Sequence, residues 1–229
     1  MIFNIFPLSI YKQKVGLDTE IRQRFAELIT NQKSKTKKSS SSSSETWVGG
    51  MHGELSIHLQ DDFMPLFHEY SKHMKSYMHQ LGLQIDDLDI FVTRSWGTYG
   101  LGNATISTHM HTSSVLSITY YVSLPEGSAS ISFECEAHQN EPIRGLFRER
   151  RRTQSIDPSN MLTATSVAID VQEDDLVIFT SAILHGVRPG RQSSPRISIA
   201  ADTLFLTKQV TNSEKILPPM ANWRNMLAE

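Results

Sequence analysis

From Asp89 onward the chain reads as a series of short segments rich in Val, Ile, Thr and aromatic residues: IFVTRSW, SVLSITYYVSL, SASISFE, SVAIDV, DLVIFT and RISIAADTLFL. Turns containing Gly, Pro, Asn and Asp separate them. Segments of this length and spacing indicate an antiparallel barrel or sandwich. The region before Asp89 has a different period. In residues 17–33, Leu17, Ile21, Phe25, Leu28 and Ile29 recur at three and four residues, and Asp18 and Glu20 suit a first helical turn. A second helix is expected over 61–81, with Phe63, Phe67, Tyr70, Met74, Met78 and Leu81 as its apolar stripe and His68, His73 and His79 on its surface. The fold class is therefore mainly β with flanking N-terminal helices packed on one sheet.

The 229 residues are read as one domain: helical support over 1–88, a β core over 89–206 and a tail over 207–229. A Ser/Lys-rich loop at 34–45, containing the serine tract 39–44, interrupts the support and has almost nothing to bury. Residues 136–163 are a long polar insertion between two strands. It carries Arg148, Arg150, Arg151 and Arg152, a run that could meet an acidic peptide, a phosphate ester or a nucleic acid but reads more simply as a solvated charged loop.

Composition narrows the function classes. Lys+Arg number 22 and Asp+Glu 24, a net charge of −2, which argues against a binder that covers nucleic acid with its whole surface. No apolar run approaches the roughly 18 residues of a membrane span, and the first residues lack a secretory cleavage site. The single cysteine, Cys135, permits no intrachain disulfide, so a reducing, cytoplasmic compartment is expected, with Cys135 as a buried structural thiol. One thiol cannot build a zinc ribbon or an iron–sulfur cluster, which leaves the 9 histidines as the source of metal chemistry.

The pattern THMH places His109 and His111 two residues apart, on one face of a strand, where two neutral imidazoles can grip a divalent metal. A pair of surface histidines would look the same. His185 follows the apolar strand of DDLVIFT and is confined to a strand end by Pro189 and Gly190. A third imidazole from a distant strand completes a facial site with open positions. Arg196 and Ser198 share parity on a later strand, and an inward guanidinium is a bidentate carboxylate clamp. The competing reading of Arg196 is an internal salt bridge to Glu134 or Asp202. Trp96 reads as core.

These residues resemble the 2-oxoglutarate- and iron(II)-dependent oxygenases over roughly residues 90–206, with weaker similarity at IFNIFPLSIY. More narrowly they resemble a prolyl hydroxylase-like oxygenase family of marine bacteria and their phages. The carrying positions are Trp96, Gly102, His109 and His111, SITYYV at 117–122, Phe179 with His185, and Arg196 with Ser198. The resemblance implies a double-stranded β-helix, that is, a cupin-like jelly roll. It also implies iron(II) as cofactor, 2-oxoglutarate and O2 as cosubstrates, and hydroxylation of a peptidyl or small-molecule substrate as 2-oxoglutarate becomes succinate. Localisation would be cytoplasmic, in the host cytoplasm if phage-encoded.

The wider superfamily has a carboxylate where this chain has His111. Either His111 is a ligand among three imidazoles, or the metal keeps two histidines and more water, with Glu134 a conceivable replacement. With no bulge between them, Ser117, Thr119 and Tyr121 share an alternation phase with His109 and His111, and Tyr121 matches the tyrosine that the resemblance assigns, with Arg196 and Ser198, to the distal carboxylate of 2-oxoglutarate. Two other readings stay open: a three-histidine cupin dioxygenase that does not use 2-oxoglutarate, and a non-catalytic jelly-roll binding or structural protein. The sequence leaves oligomerisation open.

Overall fold

A computed structural model describes residues 1–3, 5–35, 45–48, 56–102, 104–149, 156–157, 159–211 and 214–226. The loop expected at 34–45, its serine tract and Arg150, Arg151 and Arg152 lie almost wholly outside these residues. The elements are β1 (Tyr11–Lys14), α1 (Thr19–Lys35), β2 (Glu45–Val48), α2 (Met64–Gln80), β3 (Leu88–Gly100), β4 (Ile106–His109), β5 (Leu116–Ser123), β6 (Ile131–Glu134), β7 (Ser166–Ala168), β8 (Asp175–Thr180), β9 (Leu184–Val187) and β10 (Arg196–Thr207). They form two antiparallel sheets, a six-stranded one in the order β1-β8-β5-β10-β3-β2 and a four-stranded one in the order β4-β9-β6-β7. This is a jelly roll with helices on one side.

Alternation along the central strands explains how one sheet serves two interiors. Ile197 and Ile199 of β10, with Ile118, Tyr120 and Val122 of β5, join Phe25 and Ile29 of α1 and Tyr70, Met74 and Met78 of α2 in one core. Residues of opposite parity, among them Ser198 and Ala200 on β10 and Ser117, Thr119 and Tyr121 on β5, line a cavity between the sheets. The helices dock closely. A Cβ at Gly97 would lie 2.9 Å from the Ile29 side chain, and the Tyr70 hydroxyl donates to the Ile199 carbonyl at 2.9 Å. A second cluster of Tyr121, Ile131, Phe133, Val171, Val177 and Phe179 fills the space between the sheets.

Several expectations need correction. The buried stripe of α2 runs through Leu66 and Tyr77 as well as Tyr70, Met74 and Met78, whereas Leu81 is 43% exposed because the helix has already ended at Gln80. His73 is half-buried and its Nδ1 bonds the Tyr11 hydroxyl at 2.9 Å, so it is more than a surface residue. Cys135 is exposed. It follows Glu134, the last residue of β6, where the chain leaves the sheet and nothing covers the thiol. His185 sits within its own strand, β9, because Ser181, Ala182 and Ile183 turn the chain back, with the Ile183 N–H donating to the Thr180 carbonyl at 3.1 Å.

Candidate metal centre

The site begins at an irregularity. β4 pairs with β9 at Ile106↔Val187 and at His109↔His185, which leaves Ser107 and Thr108 of one strand opposite Gly186 alone of the other. This bulge turns the end of β4 so that His109 faces His185 directly. His111 lies beyond the end of β4, where its backbone N–H donates to the Ser181 carbonyl at 2.9 Å. The simple same-face rule for a strand therefore does not explain why His109 and His111 converge; the bulge and the turn do. One nitrogen from each of His109, His111 and His185 lies within 4.8 Å of the others.

The hydrogen bonds fix which nitrogen faces inward. The Nδ1 atoms of His109 and His185 lie 2.7 and 2.8 Å from the carbonyls of Ser107 and Ile183. That of His111 lies 2.6 Å from the Asp202 carboxylate. Carbonyls and carboxylates only accept, so each Nδ1 carries the proton and each neutral ring keeps a lone pair on Nε2. The Nε2 atoms of His109 and His111 are 3.1 Å apart. Two lone pairs at that distance repel unless a cation lies between them. Right-angled imidazole ligands at roughly 2.1 Å from a metal would be about 3 Å apart, so the donor set fits a divalent transition metal. Burial lowers the His109 pKa and takes that of His185 down to about 4, so both stay neutral and able to ligate near pH 7.

Three cross-strand rungs form the cavity floor. The first joins Thr98, Ser198 and Tyr121; the second Trp96, Ala200 and Thr119; the third Arg94, Asp202 and Ser117. His111 sits over the third rung. Its ring is 5.9 Å from that of Trp96, and the Ser117 hydroxyl donates to Asp202 at 2.8 Å. Burial alone would raise the Asp202 pKa, but the His111, Ser117 and Arg94 contacts together hold it below the usual carboxylate range. At the other end, Arg196 is buried, lines the cavity and donates to the Ala129 carbonyl at 3.3 Å, and Thr98 hydrogen-bonds Ser198. Burial pushes the Tyr121 phenol up to about 12, with the Arg196 charge opposing, so it remains a hydrogen-bond donor. Ala200 keeps the middle rung low.

The cavity thus brings together His109, His111, His185, Tyr121, Arg196, Ser198, Ser117, Thr119 and Trp96. Glu134 is elsewhere. Its parity is opposite to that of the inward Phe133, and its carboxylate accepts from Thr108 at 2.9 Å on the outer face. Asp202 pairs with Arg94 rather than Arg196; it is six residues from Arg196 along β10, roughly 20 Å of extended strand. The sequence reading missed Thr98, Arg94 and this role of Asp202. The shared parity of Arg196, Ser198 and Asp202 was the available signal. Arg148 donates to the Glu136 carbonyl at 2.9 Å, a contact within its own loop.

A jelly roll with three converging histidines and an inward arginine is an arrangement that can take a divalent metal and an anion. Residues 94–202 match the model of a family described as "Putative 2OG-Fe(II) oxygenase". That stretch is just under half of the chain, and over it the sequence is similar to the 2OG-Fe(II) oxygenases. No curated protein sequence matches it. Among solved structures it is similar to HygX from Streptomyces hygroscopicus, seen with nickel and 2-oxoglutarate bound (TM-score 0.55, 10% identity, 86% of this chain and 82% of that one). It is also similar to SnoN, the α-ketoglutarate-dependent epimerase of nogalamycin biosynthesis (0.58, 10%, 86% and 78%). A third is a Pseudomonas putida prolyl-4-hydroxylase (0.52, 10%, 86% and 92%). At these identities the likeness is one of fold.

Proposed function

We propose that this protein is an iron(II)- and 2-oxoglutarate-dependent oxygenase that hydroxylates a peptidyl or small-molecule substrate while 2-oxoglutarate is decarboxylated to succinate. The observation that carries the reading is the division of one cavity into two ends: three imidazoles with a nitrogen of each within 4.8 Å of the others, and a buried guanidinium with hydroxyl donors. His109, His111 and His185 would hold the iron. Arg196, Ser198 and Tyr121 would hold the distal carboxylate, with Thr98 orienting the Ser198 hydroxyl.

When bound, iron(II) with 2-oxoglutarate and O2 supplies the oxidant for the substrate C–H bond. The chain's own residues do the rest. The three Nδ1 hydrogen bonds hold the imidazoles in one tautomer and one orientation. Arg196 neutralises a carboxylate that could not otherwise enter a dry cavity. Ile106, Ile131, Phe179 and Val187 exclude water around it. No side chain needs to act as nucleophile or general base.

The buried arginine favours this reading over a cupin dioxygenase, in which it has no task. In other proteins the fold serves both substrate classes, since HygX is seen with hygromycin B and another neighbour is a prolyl-4-hydroxylase. The test is visible absorption of the anaerobic iron(II) protein as 2-oxoglutarate is added. A new band that disappears in Arg196→Met is expected. Iron binding without any response to 2-oxoglutarate would favour the cupin reading, and no iron binding the non-catalytic one.

A further inference from the structure

The three imidazoles are not equivalent. His109 and His185 donate Nδ1–H to the carbonyl two residues earlier in their own segments. These bonds are local and neutral. His111 has no such carbonyl: its Nδ1 lies 2.6 Å from the carboxylate of Asp202, on the opposite sheet, and 3.1 Å from the Ser117 hydroxyl. Asp202 is fully buried, and its other oxygen accepts from Arg94. Ser117 donates to the same oxygen that meets His111, and the Ser181 hydroxyl lies 2.9 Å behind Ser117.

We propose that Asp202 is a positioning residue for the metal centre: it holds His111 by Nδ1 and supplies, one ring further out, the negative charge that a ligating carboxylate would bring. This rests on the metal reading of the three histidines. A carboxylate behind a ligand histidine fixes its tautomer and raises its basicity. Here it also offsets the charge of a cation held by three neutral donors. Arg94 sets how much of that charge reaches the site, because its guanidinium draws on the same carboxylate from the surface side, where its side chain is 40% exposed. The local carbonyls behind His109 and His185 can orient those rings but carry no net charge.

The two partners of Asp202 make the test one of sign. Cobalt(II) is titrated anaerobically into the full chain, read by visible absorption and by quenching of Trp96, whose ring is 5.9 Å from that of His111. Asp202→Asn keeps the size and an acceptor but removes the charge, and should weaken cobalt affinity roughly 10- to 100-fold. Arg94→Gln should tighten it severalfold, because Asp202 is then less neutralised; this substitution lies at a part-exposed side chain and covers the case in which Asp202→Asn does not fold. Glu134→Gln, on the outer face, should leave affinity unchanged. If Arg94→Gln weakens binding or leaves it as in the parent, or a folded Asp202→Asn binds as the parent does, Asp202 is merely structural. If the parent itself binds no cobalt, the metal reading falls and this inference falls with it; parental binding with unaltered variants sinks only the role of Asp202.

Discussion

The Nε2 atoms of His109 and His111 face each other at 3.1 Å while the Nδ1 atoms of both rings are already committed to acceptors. Such a pair is stable only with a proton or a metal between them. Burial lowers the pKa of His109 and of its neighbour His185, which leaves both rings neutral and able to ligate a metal near pH 7. Nickel(II) at about 100 times its Kd is expected to stabilise the protein by about 2.7 kcal/mol. For a chain of this size that raises the melting midpoint by roughly 5–10 °C. Differential scanning fluorimetry checks it, and a shift of the same size in His185→Ala would show that the metal binds elsewhere.

Arg196→Lys keeps the charge and loses the planar fork. It is expected to weaken 2-oxoglutarate binding roughly 10- to 100-fold, the range for losing a charge-assisted hydrogen bond, with metal affinity unaffected. Calorimetric titration of the nickel-loaded protein measures both. Equal losses of metal and 2-oxoglutarate affinity would mean that Arg196 supports the fold rather than the cosubstrate.

Tyr121 gives a pH prediction. Its phenol is raised from an ordinary value of 10.0 to about 12 by burial. The folded state therefore binds that proton more tightly than the unfolded chain. The resulting stability is complete below pH 10 and is lost as pH rises toward 12. The phenol should thus donate throughout roughly pH 7–9, and Tyr121→Phe should lower 2-oxoglutarate affinity about fivefold, one ordinary hydrogen bond, equally across that range. A loss that grows or shrinks with pH in this window would contradict it.

Gly186 follows His185 on β9, and a Cβ there would lie 2.7 Å from the Ile106 carbonyl oxygen and 3.2 Å from the Thr108 Cα. Both are backbone atoms of β4, so the strand itself must move, and His109 moves with it. Gly186→Ala is expected to cost about 1–3 kcal/mol, as overpacking does, and to weaken metal binding at least tenfold. Chemical denaturation and metal titration read the two effects. Ile29→Val, expected to cost about 0.5–1.5 kcal/mol in the helix-facing core, should leave metal affinity alone; matching affinity losses in both variants would reduce the Gly186 effect to general destabilisation.

The strands with continuous apolar faces were legible in the sequence because burial writes itself as Val, Ile and aromatic runs; DLVIFT and RISIAADTLFL are observed nearly as read. β1 was not, since Tyr11–Lys14 is a short edge strand with three exposed residues out of four, held by pairing to β8 rather than by its own pattern. The histidines could be picked out by spacing, but the bulge that turns His109 toward His185 depends on how two strands meet and leaves no mark in either segment alone. Asp202 was visible as an acid sharing parity with Arg196 and as a candidate ion-pair partner for it. Its significance depends on Arg94 and Ser117 arriving at the same rung from two other strands, a relation of register rather than of local sequence.

Arg196, Ser198, Ala200 and Asp202 occupy successive inward positions of the single strand β10, so the separation between the cationic end of the cavity and the histidine end is set by backbone geometry. A hydrogen-bonded strand flanked on both sides works as a ruler: it cannot lengthen to suit its guest. On the proposed reading, keto diacids one methylene shorter or longer than 2-oxoglutarate would have to leave one end unsatisfied or buckle in between, and the floor's spacing would select among homologous acids.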